Sequence, residues 1–443
     1  MINILKESFE ADGGKTAYRT TQGEITFAEL WELAKRYAYM LKASRNPVIV
    51  KGGKETHMIA AFIACIMASR PYVPCDSETP EARIRKITEL SGADTVIDAS
   101  TVPPAEKLEE FRNNDDDIAY IIFTSGSTGD PKGVPISRAN LKAFIGGLLL
   151  RTDALTACKG RTVLNQAKFS FDLSVADIYF TLCTGSTLFA LTSQEQKDPL
   201  LMIKAIAKSN ASLAVMTPTF AKYCLCMPEF GRDALPELHT IFFCGETLEP
   251  KTVRLLSERF QGIRIINAYG PTEATCAVCC AEITPELCGQ SILPCGTEGN
   301  GTCKIMVDSG EILLDGKSVF GGYLNGEKRI GAYRTGDCGR IENGYIYCSG
   351  RKHGYIKFKG HRIEPDEIKT AIAAIDGVDQ CSVRVVENSS GTVTGIVAAV
   401  VAKDLDADAV KSQLRETLPE YMIPRIIEIS REISFNANGK QKN

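Results

Sequence analysis

Hydroxyls, glycines and a single cation crowd the stretch TSGSTGDPKG at 124–133. Thr124, Ser125, Ser127 and Thr128 alternate with Gly126, Gly129 and Gly133, and Lys132 stands beside Pro131. Hydroxyls donate to phosphate oxygens, glycines let backbone N–H groups approach an anion, and a lysine adds a point charge. The chemistry on offer is the cradling of an oligophosphate. The common P-loop, G-x-x-x-x-G-K-[ST] opening into a helix, is a different pattern, because Gly133 follows Lys132 and Pro131 lacks a backbone donor. A solvated turn is the competing reading of any such run.

A loop of this kind needs a rigid element behind it, and 118–123, apolar and β-branched, predicts a buried strand leading into it. Upstream, Phe27, Leu30, Leu33, Ala34, Tyr37 and Leu41 make a helical stripe, 48–50 a short strand, and 58–68 a helix apolar nearly all round. Thr79-Pro80-Glu81 starts a helix that buries Ile84, Ile87 and Leu90 and stops at Gly92. Strands at 187–191, 212–216, 240–243 and 264–266 then alternate with helical patterns at 199–208 and 250–260. That rhythm predicts largely parallel, helix-covered sheets, whose ligands sit beyond the carboxyl ends of strands. TSGSTG, FCGE and NAYGPTEAT all fall there. From 303 to 350 short strands and turns take over. From about 353 a compact α+β unit follows, with helices at 365–375 and 407–418 and strands at 380–386 and 394–401.

The chain has 443 residues, more than one compact core accommodates, so at least two domains are expected. Its net charge of −3 gives no electrostatic reason to expect nucleic acid or an anionic membrane as partner. No apolar run approaches a membrane span, and MINILKESFEADGG lacks the features of a signal peptide. The sixteen cysteines lie mostly in apolar runs, as at Cys65, Cys183, Cys244 and Cys303, which fits free thiols in a reducing cytoplasm. Cys276 and Cys279 form one CxxC, followed by Cys280, with no second pair at zinc spacing. With only four histidines and no HExxH, no structural metal is expected.

Six dispersed stretches resemble, in order and spacing, the motifs of the adenylation enzymes: 124–133, FDLS (171–174), NAYGPTEAT (267–275), YRTGD (333–337), GRKHGYIKFKGHRIEPDEI (350–368) and NGK (438–440). This AMP-binding superfamily includes amino-acid adenylation domains of nonribosomal peptide synthetases, D-alanine–carrier protein ligases, acyl-CoA synthetases and luciferases. The resemblance covers essentially the whole chain. It implies an α/β fold: a large N-terminal lobe (1–351) of helix-covered, mostly parallel sheets with a small β-barrel-like subdomain, and a small mobile α+β C-terminal domain (352–443). It also implies the chemistry. A carboxylate attacks the α-phosphate of ATP, giving an acyl-adenylate and pyrophosphate, and a phosphopantetheine thiol then takes the acyl group as a thioester.

By the same resemblance, Thr124, Ser125, Gly126, Ser127, Thr128, Gly129 and Lys132 would hold the β- and γ-phosphates. Tyr269, flanked by Asn267, Ala268, Gly270 and Pro271, would stack on adenine; Thr272 would meet the α-phosphate, and Glu273 would bind Mg2+. Asp337 would take the ribose hydroxyls, with Cys348, Ser349, Gly350 and Arg351 also lining the nucleotide. Lys440 would bridge the carboxylate and α-phosphate and stabilise the charge developing there. Singly, each has a plainer alternative as a turn residue or a solvated side chain.

Asp172 bears on the substrate class. A carboxylate after the apolar run LNQAKFSF is costly to bury without a cation, which an amino acid's α-ammonium would provide, as it does at this position in amino-acid-activating members. The plainer alternative is a helix N-cap for 173–182. Leu173, Ala176, Thr219, Phe242, Cys244, Ala268, Cys276 and Ala277 would line the rest of the pocket, small or apolar, favouring a small neutral side chain. D-alanine is the first choice, delivered to a separate carrier protein, by a monomeric enzyme in the cytoplasm. The alternatives are an acyl- or aryl-CoA synthetase and a nucleotide-binding module without catalysis. His353 stands where the family has a hinge aspartate, and the chain is shorter than typical members around 290–335.

Overall fold

The computed structural model describes residues 1–112, 114–126, 130–298, 301–352, 356–358, 361–387, 393–402 and 405–430. They divide into two compact units. The larger comprises Met1–Ser77, Ser91–Ile122 and Gly133–Lys352; the smaller comprises Glu78–Leu90, Phe123–Lys132 and the chain from His353 on.

In the larger unit, an eight-stranded sheet runs in the order Cys279–Glu282, Arg264–Tyr269, Thr240–Phe243, Leu213–Met216, Thr162–Asn165, Thr187–Ala190, Thr16–Arg19 and Glu24–Thr26. The inner pairings are parallel and the outermost on each side is antiparallel. Parallel neighbours need crossovers, supplied here by helices Ser174–Thr184, Pro199–Ser209, Pro218–Leu225 and Pro250–Arg259. The last three open on proline, where the missing N–H has no intrahelical partner to lose; Asp198 and Thr217 cap two of them. Every residue of Leu213–Met216 and Thr240–Phe243 is buried, as strands covered on both faces must be.

A second sheet orders Thr95–Ile97, Val48–Gly52, Tyr72–Asp76, Ile118–Thr124 and Lys132–Ser137, its first three pairings parallel. Helix Thr56–Ala68 is buried from Met58 to Ala68, as its all-round apolar sequence predicts. Helix Phe27–Leu41 starts at a capping box between Thr26 and Glu29. The short strands after 295 form one antiparallel sheet of five, in the order Gly296–Thr297, Tyr345–Arg351, Tyr333–Glu342, Glu311–Asp315 and Lys304–Asp308. These five are the expected β-barrel-like part.

The smaller unit has its own apolar core, with Ile363, Ile368, Ile372, Ile396, Val400, Val410 and Leu414 at its centre. Val378–Glu387 pairs antiparallel with Val393–Ala402, which pairs parallel with Ile426–Ser430, beside helices Pro365–Ala373 and Ala407–Thr417. Among the described residues no helix is long and apolar enough to cross a membrane.

One expected boundary moves. The strand predicted to end at Ile266 continues to Tyr269, because Asn267, Ala268 and Tyr269 pair with Ala281, Cys280 and Cys279. Those three residues therefore stand on a rigid strand rather than in the loop that follows.

Candidate active site

Asp337 lies on strand Tyr333–Glu342 directly across from Arg351 on the neighbouring strand. It is 2% exposed. Tyr269 donates its phenol O–H to Asp337 Oδ2 at 2.6 Å, and Arg351 Nε lies 3.4 Å from Oδ1. Arg351 is held in turn by an N–H donated to the Thr335 carbonyl at 2.6 Å. Gly336 between them has φ +73, and a Cβ there would sit 2.9 Å from the Arg351 guanidinium. Burial, then the Asp337 charge, pushes the Tyr269 phenol well above its ordinary value, so the hydroxyl stays a donor. Three residues that sequence placed around the nucleotide are thus joined by hydrogen bond or ion pair.

Beyond the strand end, Thr272–Ala274 forms a short 3-10 turn, followed by Thr275 and Cys276 with φ of +65 and +67. Left-handed backbone at a β-branched residue costs energy and persists only where its surroundings over-determine it. This turn aims Thr272 Oγ1 at Asp172 Oδ2, to which it donates at 2.5 Å. Asp172 is 8% exposed, and the next helix begins at Ser174 with Leu173 at its N-cap position.

Glu273 is fully buried; its Oε1 accepts from the Tyr323 phenol at 2.5 Å, and its carbonyl accepts from Phe320 N–H at 2.8 Å. Among the described residues there is no cluster of three or more His, Cys, Asp or Glu for a metal. One carboxylate with a hydroxyl nearby in sequence is a hard-oxygen donor set. It fits Mg2+, which keeps few protein ligands and completes its shell with water and phosphate.

Leu173, Ala176, Phe242, Cys244, Ala268, Cys276 and Ala277 are all buried in one packed cluster with Tyr269. Cys244 Sγ lies 3.6 Å from the Cys276 carbonyl, and its thiol, followed by burial, pushes the Cys276 thiol well above its ordinary value. Cys276 therefore stays a neutral thiol. Thr219 is not brought in with them: it is exposed, in the first turn of helix Pro218–Leu225, with its N–H on Glu246 at 2.9 Å. Asn267 donates to the Pro294 carbonyl at 2.8 Å, and Gly270 and Pro271 are buried just beyond. Cys348 is half-buried, whereas Ser349 and Gly350 are exposed on the strand before Arg351.

In the smaller unit, the polar groups at 125–126 are engaged by their own chain. Ser125 Oγ donates to the Arg362 carbonyl at 2.8 Å and accepts from Glu364 N–H at 2.9 Å. Gly126 N–H donates to Glu367 Oε2 at 3.2 Å, and Arg83 pairs with Glu367 Oε1 at 2.7 Å. Gly126 has room for no side chain, since a Cβ would collide with the Asp130 carbonyl. Thr124 Oγ1 lies 3.5 Å from the Lys132 carbonyl. Ser127, Thr128, Gly129, His353 and Lys440 lie outside the described residues. Sequence reasoning missed Tyr323, Arg83 and Glu367. Tyr323 ends the motif-like stretch GEILLDGKSVFGGY, which was a usable signal; Arg83 carried none.

The profile of AMP-binding enzymes matches residues 5–115 and 101–324. A D-alanine–D-alanyl carrier protein ligase of Bacillus velezensis is 35% identical over 99% of this chain and 97% of its own length. Its namesake in Staphylococcus epidermidis is 34% identical with the same coverage. Among solved structures, the Vibrio cholerae adenylation domain AlmE, in complex with glycyl-adenosine-5'-phosphate, superposes with a TM-score of 0.84 at 21% identity, covering 99% of this chain and 95% of that one. The o-succinylbenzoate CoA synthetase of Bacillus subtilis gives 0.81 at 19% identity, covering 99% and 97%. At such identities these two establish a shared fold.

Proposed function

The chain belongs to the AMP-binding enzyme family, and from that premise we propose that it activates a small amino acid, D-alanine first, as the aminoacyl-adenylate and transfers it to the phosphopantetheine thiol of a separate carrier protein. One observation carries the substrate class: Asp172 is a buried carboxylate, bonded by Thr272, at the entry to helix Ser174–Thr184. An α-ammonium offers the cation such a group calls for. The small apolar lining of Leu173, Ala176, Phe242 and Ala277 then favours a short side chain.

In this reading a carboxylate oxygen of the amino acid attacks the α-phosphorus of ATP, and pyrophosphate leaves with the electron pair of the broken P–O bond. The carrier thiol then attacks the acyl carbon, and AMP leaves. Thr272, bonded to Asp172, ties the ammonium end to the α-phosphate end. Asp337, held by Tyr269 and Arg351, presents acceptors to the ribose hydroxyls. Ser125, Gly126 and Lys132, with Ser127, Thr128 and Gly129, hold the outer phosphates. Glu273 would hold Mg2+, which supplies charge neutralisation for phosphate oxygens. Lys440 serves the charge developing between carboxylate and α-phosphate, His353 the hinge of a C-terminal domain that begins at 352. The enzyme works as a cytoplasmic monomer.

Pyrophosphate exchange across both enantiomers of the small amino acids tests the proposal. D-alanine should give the highest kcat/KM. Silence with every amino acid, together with activity on a carboxylic acid lacking an amine, would replace it with a CoA synthetase.

A further inference from the structure

We infer that Tyr120 is a further member of the amino-acid pocket, its phenol hydroxyl accepting a hydrogen bond from the substrate's α-ammonium beside the Asp172 carboxylate. The inference rests on the amino-acid reading above. Tyr120 lies on strand Ile118–Thr124, wholly buried, and its hydroxyl has no hydrogen-bond partner among the described residues. The neighbouring phenols are differently placed. Tyr72 packs its ring 5.5 Å from that of Tyr120, but its hydroxyl meets that of Tyr179 at 3.1 Å. Two of the three buried hydroxyls therefore satisfy each other, and the third is left over.

Tyr120 packs in the same buried cluster as Leu173, Ala176, Cys276 and Ala277, and the Cys276 thiol, the Asp172 carboxylate and Tyr179 act on its phenol electrostatically. Cys276 and Asp172 are pocket residues. Burial, then these neighbours, keeps the phenol protonated at any working pH, so it serves as a neutral hydroxyl, able to accept and to donate.

An ammonium brings three N–H donors, each of which needs an acceptor once water is excluded. Asp172 Oδ2 already takes the Thr272 hydroxyl. Leu173, Ala176, Phe242 and Ala277 have no polar side-chain atom to add. A phenol oxygen supplies the further acceptor without a second negative charge, so carboxylate and ammonium remain balanced. The same hydroxyl would discriminate against carboxylic acids without an amine, which leave it desolvated and unbonded.

Tyr120→Phe removes one oxygen and keeps the ring. In pyrophosphate exchange with D-alanine, or the small amino acid the wild type uses best, KM for the amino acid should rise about tenfold. KM for ATP should stay within about twofold, and Tm of the protein alone should hold or increase, since a buried unbonded hydroxyl has been removed. A purely structural hydroxyl would behave oppositely, lowering Tm and moving both KM values together. That pattern, an unfolded variant, or an unchanged amino-acid KM overturns the assignment. A wild type silent with every amino acid overturns the parent reading, and this one with it; an active wild type matched by Tyr120→Phe overturns this one alone.

Discussion

In the larger unit, polar side chains from distant parts of the chain hold one another: Thr272 on Asp172, Tyr269 and Arg351 on Asp337, Tyr323 on Glu273. In the smaller unit, the polar groups at 125–126, which we propose for a phosphate, are held by Arg362, Glu364 and Glu367. Both arrangements satisfy buried donors and acceptors, as they must. They differ in what a ligand has to do. The pocket presents groups already oriented by their partners, which is how a rigid site lowers the cost of binding. At Gly126 a carboxylate already sits on the backbone donor, so a phosphate has to compete with an anion. The difference teaches that one molecule can pre-organise polar groups in one unit and hold those of another in reserve.

The largest effect should come from Asp172→Ala. If Asp172 faces the substrate ammonium, its removal costs about 2–5 kcal/mol, so kcat/KM for the amino acid should fall roughly 30- to 5,000-fold with KM for ATP nearly unchanged. Equal losses for both substrates would mean that Asp172 supports the fold rather than the ammonium.

The mutual-support pattern continues in a buried chain from Lys54 to Asn165 to Asp177. Burial lowers Lys54 to about 7 and raises Asp177 to about 7. The raised acid stabilises the fold below its unfolded value and loses that contribution as pH climbs through about 7. The lowered lysine contributes above its unfolded value and loses that contribution as pH falls through about 7. The pair is therefore least favourable near neutrality. Lys54→Met alone should cost roughly 3–5 kcal/mol, because Asp177 is left buried without its cation. In the double variant with Asp177→Asn, Tm relative to wild type should peak near pH 7 and decline toward pH 5 and pH 9. A pH-independent difference would show that the pair does not titrate in that window.

Glu367→Gln probes the other half of the comparison. The amide keeps an oxygen for Arg83 but takes the negative charge from Gly126 N–H. Hydrogen bonds to charged groups are about twice as strong as neutral ones, so KM for ATP should drop roughly three- to tenfold in pyrophosphate exchange. A KM that rises instead would mean that Glu367 helps to build the phosphate site, and the contrast with the pocket would vanish.

Much of this was legible because its causes are local. Proline at 199, 218 and 250, the Thr26–Glu29 box and the apolar stripe of Phe27 to Leu41 each announce a helix within one turn of chain. The polar loops announce themselves by glycine and hydroxyl content. Long-range pairing did not show. Arg83 and Glu367 stand 284 positions apart, and nothing around either marks the other. The antiparallel partner that carries the strand on to Tyr269 lies across a turn whose left-handed Thr275 and Cys276 have no local signature. Tyr120 was taken into an apolar strand, where a phenol reads as one more core ring; only its unsatisfied oxygen sets it apart.

Tyr269→Phe should have the smallest effect and bears most directly on the contrast. The substitution keeps the ring for stacking and deletes the donor to Asp337 Oδ2. If the pocket is truly pre-organised, that bond fixes the carboxylate for ribose, and its loss costs about 1 kcal/mol, a roughly fivefold rise in KM for ATP. Arg351 and the strand register still hold the aspartate, so the effect stays modest. If the hydroxyl merely occupies an oxygen that ribose needs, the variant binds ATP more tightly. Asp337 would then resemble Gly126, a group held by its own chain until a ligand displaces the holder, and the two units would work by the same rule.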